Sequence, residues 1–424
     1  CKVTFHQRPA RVHDLGVFLK LHELMAAIEQ GGNTRDYVLL HTLDTLWLFL
    51  PAEDVLAIRS VLKPFLEGGF TVKAEVAEAP LGQLSSDVFE RRKELVHHLY
   101  LQPQMPPSIS PPVCDLCQSQ QGRPVSDDRS GITEFLCDTC KGFRYLVRSP
   151  DKNKASPFAR VGQDWEEQDI TVAWIRLRLD YERLQKVLPA LYCAYLLKLR
   201  QEGKADLTDP EIQGLCDGLR TTALMVDFTE DYKRLLERFW HRLRQQFGQD
   251  DVAAVTEDSP ELVAVALTEE GRALTIADIF TDEFSRLFPA CESDSPVFLS
   301  ISIANAKYPF FEHWRYLDRL ADGTGQQSSA TLPAIRIQAV GRASLEMTIP
   351  RFKRLRGLQP EQAASKLHRA AAVGARTGSD LMAEMEFLED LHRYPDLQRA
   401  HIEEGFSVGE LLSYHKLLTI GGAP

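Results

Sequence analysis

Long apolar runs are missing from this 424-residue chain. The longest candidate, Leu46 to Pro51, falls far short of the roughly 20 apolar residues that a helix needs to cross a bilayer, so no membrane role is expected. An excess of positive charge is missing too. With 49 Lys and Arg against 60 Asp and Glu, the net charge is −11. That balance argues against a protein that coats nucleic acid with its whole surface, while leaving room for a local basic patch. There is no glycine-rich phosphate loop and no pair of histidines four residues apart. Phosphate-loop and helix-borne metalloprotease chemistry therefore have no motif to rest on. His97 and His98 are adjacent, and so would point to different faces of a helix. No secretory signal is recognisable, and Cys1, Cys193, Cys216 and Cys291 show no pairing pattern, which disfavours disulfides and points to a cytoplasmic location.

What is present is a cysteine knuckle. Cys114-Asp115-Leu116-Cys117 and Cys137-Asp138-Thr139-Cys140 are two C-x-x-C pairs with nineteen residues between them. Each short pair places two thiolates on one side of an ion, and the intervening chain folds back to close a tetrahedral zinc site. Four thiolates leave no position open for water, so such a site holds structure and performs no chemistry.

The remaining pattern is α+β. Tyr37 to Pro51 reads as a β-hairpin with a polar tip at Thr42, Asp44 and Thr45, followed by a helix from Ala52 to Leu66 and an alternating strand from Phe70 to Pro80. The order returns later. Glu261 to Ala277 reads as strand, polar tip at Thr268 to Arg272, and strand; Asp278 to Phe288 is an amphipathic helix; Val297 to Pro309 is another alternating strand. Such triplets arise either by duplication or as an ordinary property of α+β chains. Ahead of the second triplet stand a strand from Asp169 to Asp180, a helix opening on Pro189 and running to Leu199, and a charged helix from Asp227 to Phe247. Strand, helix, hairpin, helix, strand makes a ferredoxin-like sheet with helices on one face. Gln359 to Leu418 reads as a helical bundle of its own, and Pro103 to Pro112 and Ala321 to Ala330 read as linkers.

A duplicated ferredoxin-like domain, a four-cysteine insertion between the halves and a helical tail together resemble the large subunit of type III CRISPR RNA-guided effector complexes, a relative of nucleotide cyclases and polymerases with Palm domains. Thr42-Leu-Asp-Thr-Leu-Trp-Leu-Phe-Leu-Pro51 can be laid over that family's G-G-D-D hairpin, with Asp44 alone retained among the four motif positions. Phe298 to Pro309, ending in Lys307-Tyr308-Pro309, looks like the family's strand after the Palm helix. The resemblance implies a first, degenerate Palm-like domain over 1–100, a zinc-ribbon insertion and linker over 101–165, a second Palm-like domain over 166–350 and a C-terminal helical domain over 351–424. It implies binding to guide RNA near its 5′ tag, to target RNA and to other subunits of the effector.

A Palm cyclase needs two carboxylates at neighbouring strand ends to hold two divalent ions. Asp180 stands where the first would be expected. Glu269 and Glu270 occupy the expected hairpin tip, though no glycines precede them as the family pattern requires; a solvated turn is the plainer reading. Asp180, Glu269, Glu270 and Asp44 are thus vestigial candidates in a silent scaffold. The rival reading is a working cyclase that makes cyclic oligoadenylates from ATP with Mg or Mn, and a third is a zinc-ribbon interaction protein without RNA. His13-Asp14 is a single dipeptide, better read as a turn or helix cap than as part of the family's nuclease site. Arg351, Lys353, Arg354 and Arg356 form a short basic cluster. It is either a solvated face or a phosphate-facing patch anchored by Phe352 and Leu355.

Overall fold

The computed structural model describes the backbone of four N-terminal strands, then residues 112–115, 121–126, 133–138, 140–142, 161, 165, 168–218, 222–254, 260–268, 272–318, 333–358, 364–389 and 391–420. The four strands are β1 (Val38–His41), β2 (Leu46–Leu48), β3 (Val72–Val76) and β4 (His97–Leu101). β1 pairs antiparallel with β2, as the hairpin pattern anticipates, and β3 pairs with β4 in a separate two-stranded sheet. The helix expected over 52–66 lies outside the described residues.

The architecture is α+β around one mixed six-stranded sheet. Its strands are β7 (Thr171–Leu179), β8 (Val252–Ala254), β9 (Leu262–Ala266), β10 (Val297–Asn305), β11 (Ile335–Ala339) and β12 (Ala343–Met347), in the order β12-β11-β10-β7-β9-β8. β5 (Arg123–Ser126) and β6 (Thr133–Leu136) form a hairpin apart from it. From β10 to β8 all neighbours are antiparallel. β7 reaches β8 through α1 (Tyr181–Gln201), α2 (Asp209–Gly218) and α3 (Thr222–Phe247), and β9 reaches β10 through α4 (Arg272–Leu287). Two interlocked β-α-β crossovers result, the connectivity of a split β-α-β sheet. β11 then joins β10 in parallel and turns back as β12. Gly341, at φ +70°, occupies the left-handed region in the three-residue β11–β12 turn, where a side chain would be strained.

The period of two explains the burial. On β7, Ala173, Ile175, Leu177 and Leu179 enter the main core, whereas Val172 and Trp174 enter a smaller core on the opposite face. β9, Leu-Val-Ala-Val-Ala, is buried on both faces and so reads as a continuous apolar run. Against the second face lies α5 (Phe310–Leu317), with Phe310 edge-on to Trp174 at 4.6 Å between centroids. The C-terminal helices are α6 (Ile349–Arg356), α7 (Ala364–Thr377), α8 (Asp380–Leu388), α9 (Pro395–Ile402) and α10 (Val408–Leu418). They were expected as a unit of their own, yet Phe352, Leu367, Phe387 and Leu411 belong to the same continuous core as β7 and α4.

Three local expectations change. Residues 273–277 are helical: α4 starts at Arg272, so the hairpin assigned to Glu261–Ala277 is replaced by the β8–β9 pair, and 268–271 connect β9 to α4. Burying Ala273, Ile276, Ala277, Phe280 and Phe284 at helical spacing wins over a short strand. α1 begins at Tyr181 with Pro189 inside it rather than at its start. Cys193 on α1 is disulfide-bonded, where no disulfide was anticipated.

Candidate metal centre

Among the described residues, the cysteine knuckle has a small core made of its cysteines and Leu136. β5 and β6 pair from Arg123↔Leu136 to Ser126↔Thr133, and their hairpin is clasped to the first cysteine loop. Asp115 fixes that clasp twice: its backbone N–H donates to the Phe135 carbonyl at 2.7 Å, and its Oδ2 accepts from the Phe135 N–H at 2.8 Å. Gly122 N–H donates to the Pro112 carbonyl at 2.8 Å. A Cβ at Gly122 would stand 2.9 Å from Phe135 Cβ and 3.1 Å from Cys114 Cα, so only glycine lets the two strands of chain approach this closely.

This clasp brings Cys114, Cys137 and Cys140 together. All three are buried and outside any disulfide, with sulfurs within 4.8 Å of one another. Sulfurs bound about 2.3 Å from one ion in a tetrahedron stand roughly 3.8 Å apart, so the spacing suits a shared metal ion. The Cys140 backbone N–H approaches Cys137 Sγ at 3.4 Å, which stabilises a thiolate there, and Lys141 N–H closes the turn onto the Cys137 carbonyl at 2.9 Å. Soft thiolate donors in a buried pocket fit zinc. Cys117, the fourth expected ligand, lies outside the described residues. Among the described residues, Leu136 is the other buried member of this hydrophobic cluster, with Val125 half-buried beside it.

Of the carboxylates expected at a nucleotide site, Asp180 is the one that lies among the described residues. Asp180 ends β7, but its Oδ1 accepts from the Arg183 backbone N–H at 3.1 Å and its carbonyl accepts from Leu184 N–H at 2.9 Å, so it caps α1. Glu269 and Glu270 lie outside the described residues, in the stretch between β9 and α4 and not between paired strands. Asp44 and His13-Asp14 also lie outside them. An acid that the chain does place beside β7 is Glu261, whose backbone carbonyl accepts from Leu177 N–H at 2.8 Å. Its buried carboxylate accepts a hydrogen bond from the Tyr232 hydroxyl at 2.6 Å, which ties α3 to β9. Among the described residues, the cysteine cluster is the one group of metal-ligating side chains that converges.

No protein-family model matches this chain, and no curated protein is significantly similar to it.

The basic cluster on α6 is engaged by acids of the same chain. Arg351 grips Glu410 with Nε at 3.1 Å and Nη2 at 2.9 Å, donates to the Gly405 carbonyl at 2.7 Å, and lies 4.2 Å from the centre of the Phe406 ring. Lys353 meets Glu292 at 2.7 Å, Arg354 meets Glu404 at 4.0 Å, and Arg356 meets Asp282 at 3.0 Å. Phe352 and Leu355 do anchor the helix in the core. The cations between them lock α6 to α4 and to the loop before α10 rather than presenting a bare basic face.

Sequence reasoning also missed a buried arginine. Arg176, on the second face of β7, is 2% exposed, lies 4.3 Å from the centre of the Trp314 ring and reaches Asp318 Oδ1 at 2.6 Å. Its neighbour Arg178 donates to the Asp318 carbonyl at 2.6 Å. A buried charge is tolerable only when paired, so this clamp fastens the end of α5 to the sheet. The signal was present in the sequence as Arg-Leu-Arg inside an apolar strand.

Proposed function

We propose that this chain is the architectural, zinc-stabilised large subunit of a type III CRISPR RNA-guided effector. The observation that supports this reading most is a conjunction: a β-α-β-β-α-β sheet in the order β10-β7-β9-β8, the arrangement expected of a Palm, carried in one chain with a buried three-thiol cluster. In this reading 1–100 is the first Palm-like domain, 101–165 the zinc ribbon and linker, 166–350 the second Palm-like domain and 351–424 the helical domain. Zinc would be held by Cys114, Cys137 and Cys140 with Cys117, and would supply cross-linking alone.

The subunit binds guide RNA near its 5′ tag and the target RNA beside it, and contacts the other subunits. Base pairing reads the sequence, while protein contacts are to backbone and shape, which suits a chain of net charge −11. Asp180 spends its carboxylate on capping α1, so a two-ion cyclase site would have to dismantle that cap to recruit it. Cleavage and nucleotide chemistry therefore belong to other subunits. The assembly resides in the cytoplasm, whose reducing poise keeps thiols available as ligands; the Cys193 disulfide runs against that placement.

The test is to purify the particle through this chain, extract its RNA, and incubate it with labelled ATP, Mg²⁺ or Mn²⁺ and cognate target RNA. Stoichiometric guide RNA and no oligoadenylate are expected. Oligoadenylates that vanish in Glu269→Ala plus Glu270→Ala would replace the scaffold with a cyclase. Absence of RNA would leave a zinc-ribbon interaction protein.

A further inference from the structure

Four large apolar side chains face solvent on a single nine-residue helix. On α8, Leu381, Met382, Met385 and Leu388 are 64%, 42%, 57% and 44% exposed, while Ala383 and Phe387 on the opposite side are buried. Spacings of one, four and seven residues from Leu381 put the four on one stripe. Scattered exposed apolar residues are ordinary, whereas these four form one continuous apolar strip along the helix. Methionine suits such a surface, because its flexible thioether adapts to a partner.

The helix is held ready. Ser379 caps it, its hydroxyl accepting from Met382 N–H at 3.4 Å. Arg369 on α7 ion-pairs with Glu386, and with Glu389 at 3.4 Å, fixing one edge of the stripe. A surface that needs no reordering loses less entropy on binding.

We propose that this face docks a basic amphipathic helix of another polypeptide. Charge argues for that occupant. The helix Asp-Leu-Met-Ala-Glu-Met-Glu-Phe-Leu carries three acids and no base. Glu384 borders the stripe and has no ion pair among the described residues, which leaves a carboxylate for a lysine or arginine of the partner. A second copy of this chain would set acid against acid across the stripe, at a cost. An anionic membrane surface would be repelled for the same reason. Size points the same way: nine residues make a helix about 14 Å long and ~10 Å wide, roughly 150 Å², far below the ~800 Å² per partner of a standard protein interface. A single helix laid against it matches that footprint. The proposal does not depend on RNA binding and stands or falls separately from it.

The probe is a fluorescein-labelled helical peptide of leucine and lysine, leucines along one face, titrated with the full chain and followed by anisotropy. Met385→Glu is expected to weaken binding about tenfold or more, the order expected for losing one buried methionine contact. Equal or tighter binding by Met385→Glu would overturn the proposal, because added negative charge strengthens an attraction that is electrostatic alone. So would a wild-type chain that sediments as a dimer and becomes a monomer in Met385→Glu, since its own copy would then cover the stripe. Leu381→Glu is read in parallel, and the result is taken from whichever variant keeps the wild-type melting temperature.

Discussion

Removing the metal from the cysteine knuckle should unfold 112–142 and leave the six-stranded sheet standing. The reasoning starts from the two cores. The knuckle has Leu136 as its one fully buried aliphatic among the described residues, with Val125 half-buried beside it. Burying a leucine stabilises by ~1.5–3 kcal/mol, whereas a structural zinc contributes about 10–16 kcal/mol to folding in small zinc modules. A zinc ion held there would thus supply most of what holds β5 and β6 to the first cysteine loop. The sheet has its own core, from Ala173 to Ile420, which shares no residue with the knuckle. Thiol titration before and after a zinc chelator reads the effect directly. Cys291 should stay silent in that assay, because burial, aided by the negative charge of Asp294, pushes its thiol up to about 12. Protected thiols that become reactive on chelation, about four per chain, with circular dichroism nearly unchanged and new protease cleavage confined to 112–142, are expected. Cysteines equally reactive before and after chelation would refute a metal-held knuckle, and Cys137→Ser binding stoichiometric zinc as tightly as the wild type would refute the ligand assignment.

Gly122→Ala should destabilise the knuckle by ~1–3 kcal/mol through its clash with Phe135 and Cys114, read as faster zinc loss to a competing chelator; an unchanged loss rate would contradict the close approach. At Glu410, burial raises the carboxyl pKa, but Arg351 and the Ser407 backbone N–H and hydroxyl lower it further, leaving it below its ordinary 4.5. The stability it adds is therefore present above about pH 4.5 and lost as the pH falls through its folded value. Glu410→Gln should cost ~1 kcal/mol at neutral pH and little in acid, and a gap in urea midpoint that does not narrow on acidification would sink that assignment. A double-mutant cycle of Arg351→Ala with Glu410→Ala should give a coupling of ~0.5–3 kcal/mol, and additivity would show that the bidentate pair is idle. Reducing the Cys193 disulfide should lower stability by ~2–4 kcal/mol, with an unchanged denaturation midpoint in dithiothreitol as the contrary result.

The strands β7 and β10 were legible because Ile175-Arg-Leu-Arg-Leu179 and Leu299-Ser-Ile-Ser-Ile303 alternate apolar and polar residues, a period of two that a helix does not share. α4 was half legible. Ala-Leu-Thr-Ile-Ala satisfies a strand and a helix equally over five residues, and the decision came from Phe280 and Phe284, which extend the helical stripe into the same core. The error mattered, since it moved the expected acidic hairpin tip away from the β8–β9 turn. β11 and β12 alternate clearly around Gly341 and could have been assigned from Ile-Arg-Ile-Gln-Ala alone. Among site residues, the cysteines were legible because ligand spacing is written along the chain. The partners of Arg351, Lys353, Arg354 and Arg356 were not, because Glu410, Glu292, Glu404 and Asp282 come from distant segments that only the packing of α6 brings near. Asp180 shows the same limit: a strand-end carboxylate looks alike whether it waits for a metal or caps the next helix.

The central claim, an RNA-guided assembly built around this chain, is tested most directly by native mass spectrometry of the particle purified through it. A mass containing the 47.9 kDa chain, one zinc ion, further protein subunits and a guide RNA strand is expected. A lone 47.9 kDa species without RNA, under conditions that preserve other ribonucleoproteins, would contradict it.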